Sequence, residues 1–482
     1  MTAKKSEEAG EDAAEKVSTK VSGRLGTRHV QVVLYFLGMI IGYCLRVSMS
    51  EAVVAMSNAT SAHPEFEEFG WDQRERSQIL SSFFWGYTVM QVPSGYLAVV
   101  WSGQKLLSIG MLICGILHLL TPAAAHYGGL MAVCACRVGM GLAQGCLLPC
   151  VHTLLSKWAP PSERARLGTF AYAGAQLGTV IAFPISGLLA ASGIGWPSIF
   201  YVFGAFAILW SIAFFVYGAD TPSNHRSITE KERHYIEGSL RTVQGIEGES
   251  TGEQKLKTPW KQIFTSLPMW ALIIVHCGQN WGYWTLLTEM PSYMHAVLKF
   301  DIKQNGAISA LPYLTMWILS FPASWLSDYA LKKGVHRAIT RKVCNTIAHW
   351  GPAIALVCLG LVPTNTVLVV AILIIAVGLN AGSLCGFQIN HIDLSPNYAG
   401  TMMSITNCIA SVIAIIAPLI CGEIVYEESN ADLWSLVFFI SAGIYFLGNL
   451  VFIIFGKAEV QWWNDPDAVK SQKEIRKQFT KA

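Results

Sequence analysis

Charge is scarce in this chain: Asp, Glu, Lys and Arg make up 13% of 482 residues, against 52% hydrophobic. A soluble domain of ordinary composition carries about a quarter charged residues, so a water-facing globule is excluded. The formal net charge of +3 is too small to call for a nucleic-acid partner. There is no phosphate-cradling glycine loop, no nucleophile elbow and no Cys/His set at metal spacing, so enzymatic catalysis, primary pumping and a bound cofactor or metal are not expected. The twelve cysteines all fall in or beside apolar stretches, which argues against an extracellular disulfide framework. Cys134 and Cys136 read as packing residues. The first 29 residues have no apolar core ahead of a small-residue cleavage site, so no removable signal peptide is expected and the first apolar stretch is the insertion signal.

What the chain has in abundance is apolar runs of bilayer-spanning length. Twelve are expected, near 30–56, 78–100, 104–124, 128–155, 167–190, 197–218, 265–292, 305–330, 343–362, 366–389, 399–422 and 433–456. The fold class is therefore an all-α membrane protein of twelve transmembrane helices. Placing both termini in the cytoplasm puts 28 of the 34 Lys and Arg residues on the inside, as the positive-inside rule requires. The outer loops then hold Arg74, Arg76, Lys299 and Lys303, and the last two cations, Arg46 and Arg137, are stranded inside spans. At about 1.5 Å per residue both sit roughly 15 Å from the outer face, so they share one depth. A charge there marks a functional site more often than an interfacial snorkel or a structural pair. Asn58, in Asn58-Ala59-Thr60, is a glycosylation sequon on the outer side.

A polar connector separates six spans from six. The expected organisation is an N-tail over 1–29, a first six-helix half over 30–218, a linker over 219–264, a second half over 265–456 and a C-tail over 457–482. Within the linker, Ser227 and Glu230 have capping-box spacing and predict a short helix. The halves repeat weakly. QVPSGYLAVVWSGQK closes the second span as SFPASWLSDYALKK closes the eighth, and the fifth and eleventh share small residues and a late proline, Pro184 and Pro418. Small residues allow close helix approach and proline allows bending. This pattern resembles the major facilitator architecture, which places a central site between rocking halves. A twelve-helix channel is the alternative, but it predicts a continuous polar stripe, whereas the polar groups here cluster at mid-membrane.

Four segments carry a closer resemblance: SFFWGYTVMQVPSGY, SKWAPPSERARLGTFAYAGAQLGTVI, QNGAISALPYL and GFQINHIDLSPNYAGTMMSITN. With them the chain resembles the anion:cation symporter family of type I sodium-phosphate cotransporters, sialin and vesicular glutamate transporters. The resemblance runs from about Arg46 to Gly456. It implies anion transport driven by a cation gradient or the membrane potential, and it maps the family's intramembrane arginines onto Arg46 and Arg137. A guanidinium stays charged when buried and grips phosphate or carboxylate through paired hydrogen bonds, so the chemistry agrees. Arg137, Gly141 and Gln144 share one helical stripe. Proton-coupled members carry glutamate where this chain has Gln144, which cannot titrate. The vesicular glutamate transporters' histidine and seventh-span arginine correspond to Leu80 and Gln279, which disfavours glutamate loading.

The remaining polar residues divide between site and scaffold. Gln279 and Asn280 interrupt the seventh span and are candidates to line the cavity, or to bond neighbouring helices. Tyr87 and Tyr313 are candidate anion donors or core aromatics. Glu289 is a candidate coupling or outer-gate carboxylate. His152 is a candidate titrating switch, with a satisfied structural histidine the stronger alternative, and Asp328 is a candidate cytoplasmic gate residue. The leading expectation is a secondary active carrier of inorganic phosphate or small organic anions, coupled to sodium or driven by potential. A proton-coupled sialin-like carrier is the alternative, and an anion receptor without turnover the second. The expected partners are the anion and membrane lipid, and the plasma membrane is favoured over the lysosome.

Overall fold

The computed structural model describes residues 26–57, 66–160, 163–244, 258–361, 365–395 and 398–465. Asn58 lies outside the described residues, as do most of both tails. Every regular element among the described residues is helical. The first half comprises α1 (Thr27–Ser57), α2 (Gln73–Leu97), α3 (Gly103–Gln144), α4 (Leu147–Trp158), α5 (Arg164–Ala190) and α6 (Pro197–Tyr217). The connector carries α7 (Glu230–Gln244) and α8 (Trp260–Phe264). The second half comprises α9 (Leu267–Ala296), α10 (Ile302–Lys332), α11 (Arg337–Leu361), α12 (Thr366–Leu379), α13 (Phe387–Leu394), α14 (Ala399–Ile424) and α15 (Ala431–Phe455).

Two expected spans, the third and fourth, are joined through α3, which folds back at Gly129 with φ 56° and ψ −150°. Only glycine adopts such a backbone without strain. The fourth span is not continuous either. It breaks after Gln144 and resumes as α4, and the tenth divides likewise into α12 and α13 around a 3-10 turn at Asn380–Leu384. By length and apolarity alone, nine helical stretches among the described residues qualify as membrane spans, the α3–α4 run counting once. The two expected spans absent from that set are α2 and α9. They are the ones interrupted by polar residues along their length, and of these Gln73, Arg76, Ser77, Ser81, Ser82 and Gln91 on α2 and Gln279 and Glu289 on α9 are buried.

The halves meet along two seams, α2 against α14 and α5 against α10, with α1 and α9 between them. These seams join the same spans whose sequences repeat. Small residues bring the backbones together: a Cβ on Gly306 would lie 2.5 Å from the Phe183 carbonyl oxygen, and one on Gly187 2.6 Å from that of Ile302.

Local signals account for the helix starts. Asp72 accepts from the Glu75 amide at 2.8 Å while Glu75 accepts from the Asp72 amide at 3.1 Å, a reciprocal cap that begins α2. In the connector the cap falls two residues later than the Ser227/Glu230 spacing predicts. Thr229 Oγ1 accepts from the Glu232 amide at 3.4 Å, leaving the Glu232 carboxylate free to receive Arg28 Nη1 at 3.0 Å. Arg28 also donates from Nε to Glu163 at 2.8 Å. The connector helix is thereby tied to the start of α1 and to the α4–α5 turn, because three buried charges satisfy one another there.

Candidate functional site

The site is built where α2 crosses α3. A Cβ on Gly141 would sit 1.9 Å from the Phe83 carbonyl oxygen, and one on Gly86 2.1 Å from that of Val138, so both positions require glycine for backbone contact. This crossing inserts the Phe83 ring between the two intramembrane arginines. Arg46 Cζ lies 4.9 Å from the ring centroid and Arg137 Cζ 5.0 Å. Arg46 is further enclosed by Tyr87 at 4.5 Å, Tyr43 at 4.8 Å and, from the second half, Trp284 at 5.6 Å. Aromatic faces stabilise a cation in a dry environment, and they leave the guanidinium edges for hydrogen bonding.

The two arginines are 4% and 2% exposed but differ in what those edges hold. Arg46 donates from Nε and Nη2 to the single Oε1 of Gln144, at 3.0 and 2.8 Å. Gln144 in turn donates to the Gly42 carbonyl at 2.8 Å. On Arg137, Nε and Nη1 are buried without any hydrogen-bond partner among the described residues. A buried guanidinium left bare costs several kcal/mol of order, so this geometry is poised for an acceptor. The shared stripe of Arg137 and Gln144 on α3 does not bring the two together. Gln144 lies where α3 ends, and it turns to α1.

The other expected residues divide between this site and other places. Tyr87 belongs to the aromatic cage. Gln279 Nε2 donates to Asn380 Oδ1 at 2.8 Å, and the Tyr445 hydroxyl reaches the same atom at 3.3 Å, forming a polar cluster within the second half. Asn280 is half-buried beside it. Tyr313 is buried at the seam, stacked 5.8 Å from Phe183, with no hydrogen-bond partner for its hydroxyl among the described residues. His152 is exposed on α4, its Nδ1 3.2 Å from the Tyr172 hydroxyl. Asp328 is exposed and makes no ion pair among the described residues. The acid paired with basic residues in that region is Asp393, which accepts from Arg341 Nε at 2.7 Å.

Glu289 sits in a clamp between the halves. It accepts from Gln73 Nε2 at 2.6 Å and from the Ser77 hydroxyl at 3.1 Å. Beside it Arg74 pairs with Glu423 and Arg76 with Glu428. All of these tie the first turns of α2 to α9 or to the end of α14 and the turn after it, on the face away from the connector. Of the charged residues of α2, Arg76 is buried between the halves, whereas Arg74 meets Glu423 across them in a solvent-exposed pair. Phe83, Tyr43 and Trp284 are the cage residues that polarity and charge could not disclose.

Residues 31–418 match the Major Facilitator Superfamily, and the chain belongs to that family of membrane transporters. The protein is 42% identical over 470 residues to a "Putative inorganic phosphate cotransporter" of Drosophila melanogaster, spanning 92% of this chain and 87% of that one. It is 36% identical over 458 residues to human sialin, covering 90% of each. A bacterial homolog of the human lysosomal transporter Spinster has the same fold, with a TM-score of 0.69 at 15% identity over 90% of this chain and 99% of that one. Within the superfamily the chain therefore belongs with the phosphate cotransporter and sialin group, and it is a transporter rather than an enzyme.

Proposed function

We propose that the protein is a secondary active anion carrier, with inorganic phosphate the first substrate and small organic anions next. The observation that carries this reading is Arg137: a buried guanidinium whose Nε and Nη1 have no hydrogen-bond partner among the described residues, one aromatic ring away from Arg46. An oxyanion supplies the acceptors this group lacks, through charge-assisted bonds. A receptor would need the same pocket, but the clamp of hydrogen bonds and ion pairs between the halves supports a gate that opens and closes in alternating access. The face bearing the clamp is the outer face, with both termini cytoplasmic, as the distribution of basic residues supports. The plasma membrane is the proposed location. Gln144 cannot carry a proton, which supports drive by sodium or the membrane potential in place of a fourth-span proton site.

Counterflow of labelled phosphate in proteoliposomes tests the reading. Uptake against preloaded unlabelled phosphate is expected, inhibited by other small oxyanions. Saturable phosphate binding with no counterflow would replace the carrier with a receptor, and preference for an acidic sugar over phosphate would move the substrate to the sialin type.

A further inference from the structure

We infer that Glu51, on α1 between the paired arginines and the clamp, is the binding site of the coupling cation, sodium or a proton. Glu51 is 0% exposed, and both of its carboxylate oxygens lack a hydrogen-bond partner among the described residues. Its neighbours one turn away on α1, Val47, Val54 and Ala55, are apolar and buried. A bare carboxylate is not stable in such surroundings and needs a counter-charge or a proton. Two more buried oxygens wait at the same level. The Ser48 hydroxyl is unpartnered, three residues from Glu51 and on the same face of the helix. The Ser186 hydroxyl on α5 is likewise unpartnered. Helices α1 and α5 run parallel, with a Cβ on Gly178 falling 2.5 Å from the Ile40 carbonyl oxygen and Cys44 Sγ donating to the Gly178 carbonyl at 3.3 Å, so Ser186 falls at a depth between Ser48 and Ala52, the stretch of α1 that carries Glu51. One carboxylate and two hydroxyls match a single positive charge.

Among the described residues no side chain bonds or pairs with this group, and the nearest cation on α1, Arg46, is engaged by Gln144. The ionisable side chains on the helices packed against α1 include Arg137 and His118 on α3, Tyr87 and Arg76 on α2, Tyr313 on α10 and Tyr172 on α5. On α9 they include Tyr283, Tyr293, His276 and Glu289, and on α4 His152. None of them bonds or pairs with Glu51 among the described residues. Glu289, the other buried carboxylate on this path, is already engaged by Gln73 and Ser77.

The position also gives a coupling mechanism. Glu51 is five residues beyond Arg46, about 7.5 Å along the axis. Five residues also turn Glu51 about 140° around the helix from Arg46, and at a separation of about 10–12 Å with an effective dielectric of about 20 an ionised carboxylate weakens anion binding by on the order of tenfold. A cation on Glu51 removes that repulsion, so cation and anion are taken up together. This last step rests on the anion-carrier reading, whereas the existence of the cation site does not.

The test is made on the full-length protein reconstituted on a solid-supported membrane. Without any anion, a step in sodium or in proton concentration is expected to displace charge in the wild type, and whichever ion does so is the coupling ion. Glu51→Gln is expected to abolish that displacement together with cation-driven phosphate uptake, and to leave a phosphate affinity, read by direct binding, that no longer varies with the cation. The inference falls if neither step displaces charge in the wild type, or if Glu51→Gln retains the full signal. Absence of phosphate counterflow in the wild type would instead count against the carrier reading. Should Glu51→Gln fail to reach the membrane, Glu51→Asp decides. A shorter carboxylate should shift the cation concentration at half-displacement by about tenfold, and an unchanged midpoint overturns the assignment.

Discussion

Truncating Arg137 to alanine should have opposite effects on ligand binding and on the empty protein. Its Nε and Nη1 have no partners among the described residues, so the substitution breaks no hydrogen bond from these two nitrogens there and removes a buried charge. It costs the stacking on Phe83, roughly 0.5–2 kcal/mol, and gains relief of a desolvation penalty of several kcal/mol of order. The melting temperature without anion should therefore hold or rise. Binding behaves otherwise, because two charge-assisted hydrogen bonds to the anion are worth about 1.5–3 kcal/mol each. Losing both lowers affinity by roughly a hundredfold to ten-thousandfold. Arg137→Lys should recover little, since an ammonium lacks the planar fork. The assay pairs thermal stability in detergent, with and without phosphate, with initial uptake in proteoliposomes. Saturable uptake with near-native KM in Arg137→Ala, or a clear fall in anion-free stability, would refute the reasoning by showing that the guanidinium is structural.

Gln144→Glu should place a carboxylate against Arg46, 2.8–3.0 Å from its donors; phosphate affinity should fall near neutral pH and recover on acidification as that carboxylate takes a proton. An uptake-versus-pH profile matching the wild type would contradict it. Arg76→Ala leaves Glu428 without its partner in the clamp and should raise maleimide labelling of the buried Cys421 severalfold, measured peptide by peptide by mass spectrometry, because Arg76 is buried while Glu428 is partly exposed, so the loss falls between that of a surface pair and the roughly 3–5 kcal/mol of a fully buried one. Gly141→Ala would drive a Cβ to 1.9 Å from the Phe83 carbonyl. It should cost about 1–3 kcal/mol in stability and abolish uptake, whereas the same change at Gly443, where nothing lies within 4 Å, should be neutral in both measurements.

The number of spans and the two arginines were legible in the sequence because both rest on one signal, polarity against an apolar background. The same signal marked Glu51, five residues from Arg46, but a count confined to cations passes over it. Partner choice was not legible. Helical spacing reports which face of α3 Gln144 occupies, not which helix that face meets, and the break after Gln144 hands it to Arg46 instead of Arg137. The aromatic cage was hidden for the opposite reason, since Phe83 and Trp284 look like any other core aromatic until the Gly86–Gly141 crossing fixes the ring between two cations. The connector helix was legible as a helix, but its cap moved from Ser227 to Thr229, where Glu232 also reaches Arg28.

The unequal satisfaction of the two arginines bears on how one site can both bind and release an anion. If both guanidinia were bare, the empty carrier would hold two uncompensated charges at mid-membrane, and an anion once bound would leave slowly. If both were capped, binding would have to break both caps. Here Arg46 keeps a neutral amide that an anion can displace at the cost of two hydrogen bonds from a charged donor, each worth about 1.5–3 kcal/mol, which the anion replaces with bonds of its own, while Arg137 offers its full charge at once. Gln144 is held in place by the Gly42 carbonyl at 2.8 Å, so it can return to Arg46 when the anion departs. A carboxylate in its place would compete with the substrate as a charge, and release would then be tied to protonation there. With glutamine the exchange is one of hydrogen bonds, and the charge that responds to a cation is left to another group on α1, five residues further on.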